Sequence, residues 1–260
     1  DDRGDSWRAV SRDLTRDGDR MLEPLMGRVW SYDAPWDLDA MSAYHTITSI
    51  AESPLVEGLL YAGTDDGLVQ VSEDGGGSWR RLEVGALPGV PATAFVNDLK
   101  ADLHHPDTLY VALDNHKAGD LRPFLLASSD RGHSWRSIAG DLPDRHLVWR
   151  VVQDHVRPEL LFAATEFGVF FTLDGGTHWL ELTGGVPTIS FRDLAIQRRE
   201  NDLIAASFGR GLFILDDYTP LREIDAGRLR REASLFSVRP ALWYVERSVL
   251  GGRGAADQGA

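Results

Sequence analysis

The chain has 260 residues, 43% hydrophobic and 26% charged, with a formal net charge of −13. That is a globular composition, long enough for one large β domain or two smaller ones, and its acidity argues against a nucleic-acid partner. With no cysteine, disulfides, thiolate metal sites and a cysteine nucleophile are excluded, and no apolar run approaches the ~18–20 residues of a membrane-spanning helix.

The elements recur along the chain. A turn-and-strand segment opens it, DDRGDSWRAVS at 1–11, so the chain begins inside a repeat and without Met; a longer polypeptide is expected around it. TITSIAESP (46–54) follows as strand A, and LLYAGTDDGLVQVS (59–72) as strands B and C around a short loop. SEDGGGSWRRL (72–82) is then a turn leading into strand D. FVNDLKADLHHP (95–106), TLYVALDNHK (108–117) and SSDRGHSWRSI (128–138) repeat the order, as do VWRVVQDHVRP (148–158), LLFAATEFGVFFTL (160–173) and TLDGGTHWLEL (172–182). A last copy, FRDLAIQRREN (191–201) with DLIAASFGRGLFIL (202–215), carries no recognisable strand D. The apolar runs are rich in small, β-branched and aromatic residues, as buried strands are.

Four short antiparallel strands recurring about every 42–52 residues, measured at Tyr61, Tyr110, Phe162 and Ile204, predict an all-β fold: a β-propeller of four-stranded antiparallel blades. The blades are expected near 45–83, 95–139, 147–183 and 190–216, with a partial N-terminal repeat. Residues 218–260 are expected to hold a helix, signalled by Thr219-Pro220, and a linker toward a further β-rich domain. Four blades leave a closure question. Either further blades lie upstream in a larger, seven-bladed or double propeller, or SWRAVS (6–11) supplies the missing strand D of the last blade.

In the turns, Asp is followed by Gly two residues later and Trp five later: Asp2 with Trp7, Asp74 with Gly76 and Trp79, Asp130 with Gly132 and Trp135, Asp174 with Gly176 and Trp179. Asp accepts hydrogen bonds from its own turn, Gly permits a left-handed backbone, and Trp buries area between strands or blades. These are needs of a hairpin. The pattern resembles the Asp-box, or BNR repeat, Ser-x-Asp-x-Gly-x-Thr-Trp; at 172–179 His178 stands where Ser or Thr is usual.

In a meander, the A–B and C–D turns share one face and the B–C loops share the other with the starts of strand A. If the Asp turns staple the first face, ligands belong on the second. It gathers Asp65, Asp66, Asp98, Asp114, Glu166 and Asp193 beside His45, His116, Arg150, Arg192 and Arg210. Such a mixture suits sugar or peptide binding, or a pair of carboxylates acting as general acid and base, for which Glu166 with Asp66 or Asp98 are the candidates. Glu166 stands out because Phe167 follows it and burial would raise its pKa. The plainer readings are a simple turn at Asp65-Asp66-Gly67, solvated ion pairs at Arg150 and Arg192-Asp193, and an exposed His116. Nothing here calls for a metal or another cofactor; His104-His105 fix no coordination geometry.

Thr-Glu-Phe-Gly at 165–168, Gly-Arg-Gly followed by Leu-Asp-Asp at 209–217, and Leu-Phe-x-x-Arg-Pro-Ala at 235–241 resemble the large bacterial BNR-repeat proteins described as sortilin-like or glycosyl hydrolase-like. The resemblance implies a secreted protein, extracellular or periplasmic, with further blades upstream and a β-rich domain downstream. Likeness to sortilin implies peptide or protein binding, likeness to xyloglucanases implies glycan hydrolysis, and a third reading is an assembly platform for a larger complex.

Overall fold

The computed structural model describes residues 3–7, 9–24, 27–31, 33–34, 44–225 and 227–240. β1 (Ile47–Glu52), β2 (Leu60–Thr64), β3 (Leu68–Ser72) and β4 (Arg80–Glu83) form one antiparallel sheet in chain order. β5 (Phe95–Ala101), β6 (Leu109–Asn115), β7 (Asp120–Ser128) and β8 (Arg136–Ser137) form the second. β9 (Val148–Gln153), β10 (Leu161–Thr165), β11 (Gly168–Thr172) and β12 (Leu180–Glu181) form the third. β13 (Phe191–Gln197), β14 (Asp202–Ser207) and β15 (Leu212–Leu215) form a three-stranded fourth. The architecture is an all-β propeller of antiparallel blades, with strands A to D in order through the first three and A to C in the fourth.

In the middle blades the second strands and the third strand of blade three are buried along their whole length, and the third strand of blade two is buried from Phe124 to Ser128. Both faces of each middle blade are covered, so the two-residue period sends alternate side chains into different layers. Tyr61, Val69 and Val71 meet Val96, Leu99, Val111 and Leu126 between blades one and two. Tyr110, Ala112 and Leu125 meet Val151, Leu161, Ala163 and Phe170 between two and three. Phe162, Ala164 and Phe171 meet Phe191, Leu194 and Leu203 between three and four. Each large side chain buried there contributes roughly 1.5–3 kcal/mol.

The Asp turns close the outer rim. In the first, Ser78 donates its N–H to Asp74 Oδ1 (2.8 Å) and its hydroxyl to Oδ2 (2.7 Å), Gly76 N–H donates to Ser72 Oγ (2.8 Å), and Trp79 Nε1 donates to Gly76 O (3.1 Å). Ser128, Asp130, Gly132, Ser134 and Trp135 repeat these bonds. In the third turn His178 Nδ1, 2.7 Å from Asp174 Oδ2, takes the place of the serine hydroxyl, and Trp179 Nε1 reaches across to Ile138 O in the preceding blade (2.9 Å). Each turn is tied to the A–B turn beside it, through Gly75 N–H to Gly58 O, Arg131 N–H to Asp107 O and Gly175 N–H to Glu159 O.

Three expectations need correction. Trp7 is 91% exposed and staples nothing, because no strand of a preceding blade lies against it among the described residues; Asp2 lies outside those residues. SWRAVS does not join blade four. Val10 lies against Gly76, and the carbonyl of Leu14, which is buried, accepts from Gln70 Nε2 (2.7 Å), so this segment docks on blade one. The expected helix after blade four is instead two 3-10 turns, Thr219–Glu223 and Arg228–Arg230. The carbonyls of Leu221, Arg222 and Ile224 accept from Arg157 Nη1, that of Leu221 also taking the Ile224 N–H (3.4 Å), while Tyr218 and Arg222 are held by Asp154. Residues 241–260, with the end of the 235–241 motif and the Gly-rich stretch, lie outside the described residues.

Two predictions follow from the rim. Gly175 and Gly176 both have positive φ (69° and 94°), but a Cβ on Gly175 meets nothing within 4 Å, whereas on Gly176 it would lie 2.5 Å from Ile138 O. Gly175→Ala should therefore cost about 1–2 kcal/mol of backbone strain and Gly176→Ala clearly more, read from urea midpoints; equal losses would remove the blade-to-blade contact from the explanation. The Asp130 carboxyl is lowered to about 2 by hydrogen bonds from the Ser134 hydroxyl, the Ser134 N–H and the Ser128 hydroxyl. Asp174 is lowered to about 2 as well: burial opposes the shift, but the His178 N–H and ring and the Thr172 hydroxyl outweigh it. A depressed carboxyl stabilises the fold above its unfolded value of 3.8, and that share is lost as pH falls from there toward 2. Asp130→Asn should flatten this acid limb in thermal melts taken between pH 5 and pH 2.

Candidate functional site: the face of the inner-strand bulges

Every inner strand bulges at the same place. The register skips between Ile47 and Ser49, between Val96 and Asp98, between Val148 and Arg150, and between Phe191 and Asp193. The skipped residues are Thr48, Asn97, Trp149 and Arg192. A bulge leaves its extra residue out of the ladder and re-aims it. Each reaches a neighbouring inner strand: Thr48 Oγ1 donates to Val96 O (2.7 Å), Asn97 Nδ2 donates to Val148 O (3.0 Å), and the Arg192 guanidinium lies 3.5 Å over the Trp149 ring.

The residues one step further along form a second series, Ser49, Asp98, Arg150 and Asp193. Ser49 Oγ accepts from Leu99 N–H (2.9 Å), and Asp98 accepts from Val151 N–H (3.1 Å) and Arg150 Nη1 (2.8 Å). Arg150 Nε then ion-pairs with Asp193 (2.9 Å). The Asp98 side chain is fully buried, and burial holds its carboxyl above the usual range against the pull of Lys100 and Arg150.

The other expected site residues divide sharply. Asp66 is buried; it accepts from Thr64, from the Arg16 N–H (2.7 Å) and from His45 Nδ1 (2.8 Å). Burial opposes ionisation there, yet these donors lower its pKa overall. His45 is itself only 6% exposed in its side chain. Asp65 accepts from the Thr46 N–H and closes a turn. Asp114 is buried and accepts from the N–H and the Nδ1 of His116 (both 2.7 Å), capping the turn His116–Ala118. Asp98 thus lies inside the scaffold with its oxygens engaged, and Asp66, equally engaged, stands in the wall of a cavity beside His45 and Asp65. Glu166 is part-exposed; it accepts from Trp149 Nε1 (2.9 Å) and Ser190 Oγ (3.1 Å), with Arg192 3.8 Å away. Phe167 does not cover it, since its ring turns to His146 (5.4 Å). Arg210 is exposed in the B–C loop of blade four and joins none of these pairs.

What remains on the surface is a belt of rings and cations across all four blades. Lys117 Nζ lies 4.4 Å over Phe95 and 5.7 Å over Tyr44. His116 stands between Phe95 (5.9 Å) and Trp149 (6.2 Å). Arg192 lies between Trp149 and Phe208 (4.9 Å), its Nε donating to Ser190 Oγ (3.0 Å). A cavity of about 450 Å³ opens at one end, lined by Tyr44, Asp65, Thr93, Phe95 and Lys117. Sequence reasoning placed His116 and Arg192 on this face but left Tyr44, Phe95, Lys117 and Phe208 without a role. Their signal was the recurrence of aromatic or basic residues at the ends of the B–C loops and the starts of strand A. Among the described residues no group of His, Asp and Glu is arranged to hold a metal ion.

The fold has solved counterparts. A GH74 enzyme from Niastella koreensis aligns with a TM-score of 0.52 at 15% identity, over 68% of this chain and 29% of that one. An ancestral GH74 enzyme aligns at 0.50 and 19%, over 63% and 22%. The β-propeller domain of Cps50 (Swd1) from Myceliophteria thermophila aligns at 0.50 and 15%, over 73% and 60%. At these identities the likeness is one of propeller fold, and the chain spans less than a third of the two GH74 enzymes. No protein-family model and no curated protein matches the chain.

The second series predicts unequal losses. Asp98→Ala leaves the buried Val151 N–H without its acceptor and Arg150 with Asp193 alone, and should cost about 3–5 kcal/mol. Ser49→Ala frees the Leu99 N–H and removes a long bond to Asp98 (3.4 Å), and should cost about 1–3 kcal/mol. Urea unfolding measures both; an Asp98→Ala protein as stable as the parent would mean that the pair holds nothing together.

Proposed function

We propose that this chain is a secreted Asp-box propeller that binds an extended glycan or peptide along the bulge face and does not cleave it. The observation that carries the reading is the belt from Tyr44 to Phe208, in which rings alternate with Lys117, His116 and Arg192. Rings offer stacking area to sugars and side chains, and cations held over rings present oriented donors to carboxylates and hydroxyls. The stapled rim supports the Asp-box reading, and the sortilin-like resemblance supports both export and a binding role. GH74 counterparts keep a glycan in view as ligand. Against hydrolysis stands the state of the acids: of the three candidates Asp98 and Asp66 are buried and engaged, leaving Glu166 without an exposed partner acid among them.

Calorimetric titration with neutral and uronate-containing oligosaccharides and with acidic and neutral peptides tests this. Trp149→Ala and Arg192→Ala should each weaken binding about tenfold or more, as central aromatic and arginine contacts do, with reducing-end release absent from parent and Glu166→Gln alike. Turnover abolished by Glu166→Gln would replace the binding reading with a glycosidase.

A further inference from the structure

We propose that the rim cleft between blades two and three is a binding site for an arginine side chain carried by a partner polypeptide. The observation behind it is a difference between two clefts that the repeat makes equivalent. Between blades one and two, Arg131 of the second Asp turn fills the cleft. Its Nε donates to Asp107 Oδ1 (2.7 Å) in the A–B turn of its own blade, and its Nη1 donates to Glu73 Oε2 (2.6 Å) in the preceding Asp turn. Arg80 lies alongside and donates to the carbonyls of Arg131 and Gly132. Tyr61 beneath them is fully buried.

Between blades two and three the same positions line the cleft, but the plug is missing. Gly175 stands where Arg131 does, Glu159 where Asp107 does, Ser129 where Glu73 does, Arg136 where Arg80 does and Tyr110 where Tyr61 does. The backbone confirms the match: Gly175 N–H donates to Glu159 O as Arg131 N–H donates to Asp107 O. With no side chain at 175, a cavity of about 360 Å³ lies open between Ser129, Trp135 and Arg136 on one side and Glu159 and Gly175 on the other, with Tyr110 in its wall. A Cβ on Gly175 would meet nothing within 4 Å. Among the described residues the Glu159 carboxylate accepts from no donor and the Arg136 guanidinium donates to no acceptor.

The filled cleft shows what the open one fits. Glu159 offers the carboxylate that Asp107 gives to Arg131, and Ser129 offers a hydroxyl where Glu73 gives a second carboxylate. A planar guanidinium with its fork of donors suits that pair better than a compact ammonium does. Trp135, half-buried in the same wall, adds ring surface on which a guanidinium stacks. Arg136 is no bar, since Arg80 shares the first cleft with Arg131. The net charge of −13 draws cationic partners toward the chain. This cleft lies on the stapled rim and does not depend on the function proposed for the bulge face.

Titration of the full chain with the capped tripeptide Gly-Arg-Gly, followed by amide NMR shifts at about 0.15 M salt, tests this. Saturable shifts should cluster at Glu159, Gly175 and the Trp135 indole N–H, and citrulline in place of arginine should bind at least about tenfold more weakly, having lost the charge. Gly175→Arg supplies the plug from within; the backbone suits it, since φ is 69° at Gly175 and 56° at Arg131. It should abolish binding, whereas Gly175→Ala, with the same backbone strain and no guanidinium, should keep it. Glu159→Gln should weaken binding about tenfold. Arg131→Gly unplugs the first cleft and should add a second site. Each variant is first shown to melt cooperatively. No saturable binding, a citrulline peptide bound as tightly, shifts that persist in Gly175→Arg, a folded Arg131→Gly protein without a second site, or free arginine bound more tightly than the capped peptide would each overturn the proposal.

Discussion

A bulged inner strand must dispose of an amide that the ladder no longer serves, and this propeller solves that problem between blades. The N–H of Leu99, just past the bulge of β5, is taken by Ser49 of blade one. The N–H of Val151, at the same place in β9, is taken by Asp98 of blade two. An unpaired buried N–H would cost about 1–3 kcal/mol. Blades two and three therefore depend on their predecessors for more than apolar contact, whereas in blade four the equivalent Leu194 N–H is taken by Asp193 of its own strand (2.9 Å). The bulge also turns Thr48, Asn97, Trp149 and Arg192 onto the free face. One local irregularity, repeated four times, both joins the blades and builds the candidate surface.

The two faces divide labour because their polar groups have different obligations. On the rim, Asp74, Asp130 and Asp174 spend their oxygens on their own turns, and the turn amides reach the A–B turns. Outside the cleft at Gly175, that face is saturated with local bonds and repeats closely from blade to blade. On the bulge face the buried acids are also spent: Asp98 on Arg150, Asp66 on His45 and the Arg16 N–H, Asp114 on the His116 turn. The residues left over are rings, cations and the exposed or part-exposed acids Glu166, Asp193 and Asp65. A surface with its buried acids consumed by architecture is better fitted to recognition than to acid–base chemistry.

The strands were legible because their constraints are periodic. Runs such as Leu160 to Leu173 are buried on both faces, so they read as apolar segments broken only at the B–C loop. The Asp turns were legible because the pattern needs fixed residue types at fixed spacing. His178 looked like a departure, yet its Nδ1 replaces a hydroxyl at the same carboxylate oxygen, a substitution of chemistry that residue names conceal. The bulges left no such mark: Thr48-Ser49, Asn97-Asp98, Trp149-Arg150 and Arg192-Asp193 share a position, but no residue type recurs at either place beyond the Asp of 98 and 193. Burial of the acids was illegible for a related reason, since Asp66 and Asp98 depend on donors about 50 residues away in sequence, Arg16 and Arg150. The segment 219–233 misled because Thr-Pro signals a helical start, while the fate of its carbonyls is decided by Arg157 from another blade.

The cations of the belt raise a question of charge, because the chain carries 40 acidic residues against 27 Lys and Arg. In such a field an exposed cation ordinarily finds a carboxylate, as Arg122 finds Asp120 and Arg131 finds Asp107. Lys117 instead lies over Phe95, and Arg192 over Trp149 with Glu166 only at the edge of reach. The quadrupole of a ring holds a cation without supplying an acceptor for its N–H groups. A ring leaves aimed donors that a carboxylate would have used, although Arg192 spends its Nε on Ser190 Oγ (3.0 Å). Parking cations on rings thus leaves a line of oriented donors in an acidic protein, on a face where Asp66, Asp98 and Asp114 are buried while Glu166 and Asp193 stay exposed to solvent.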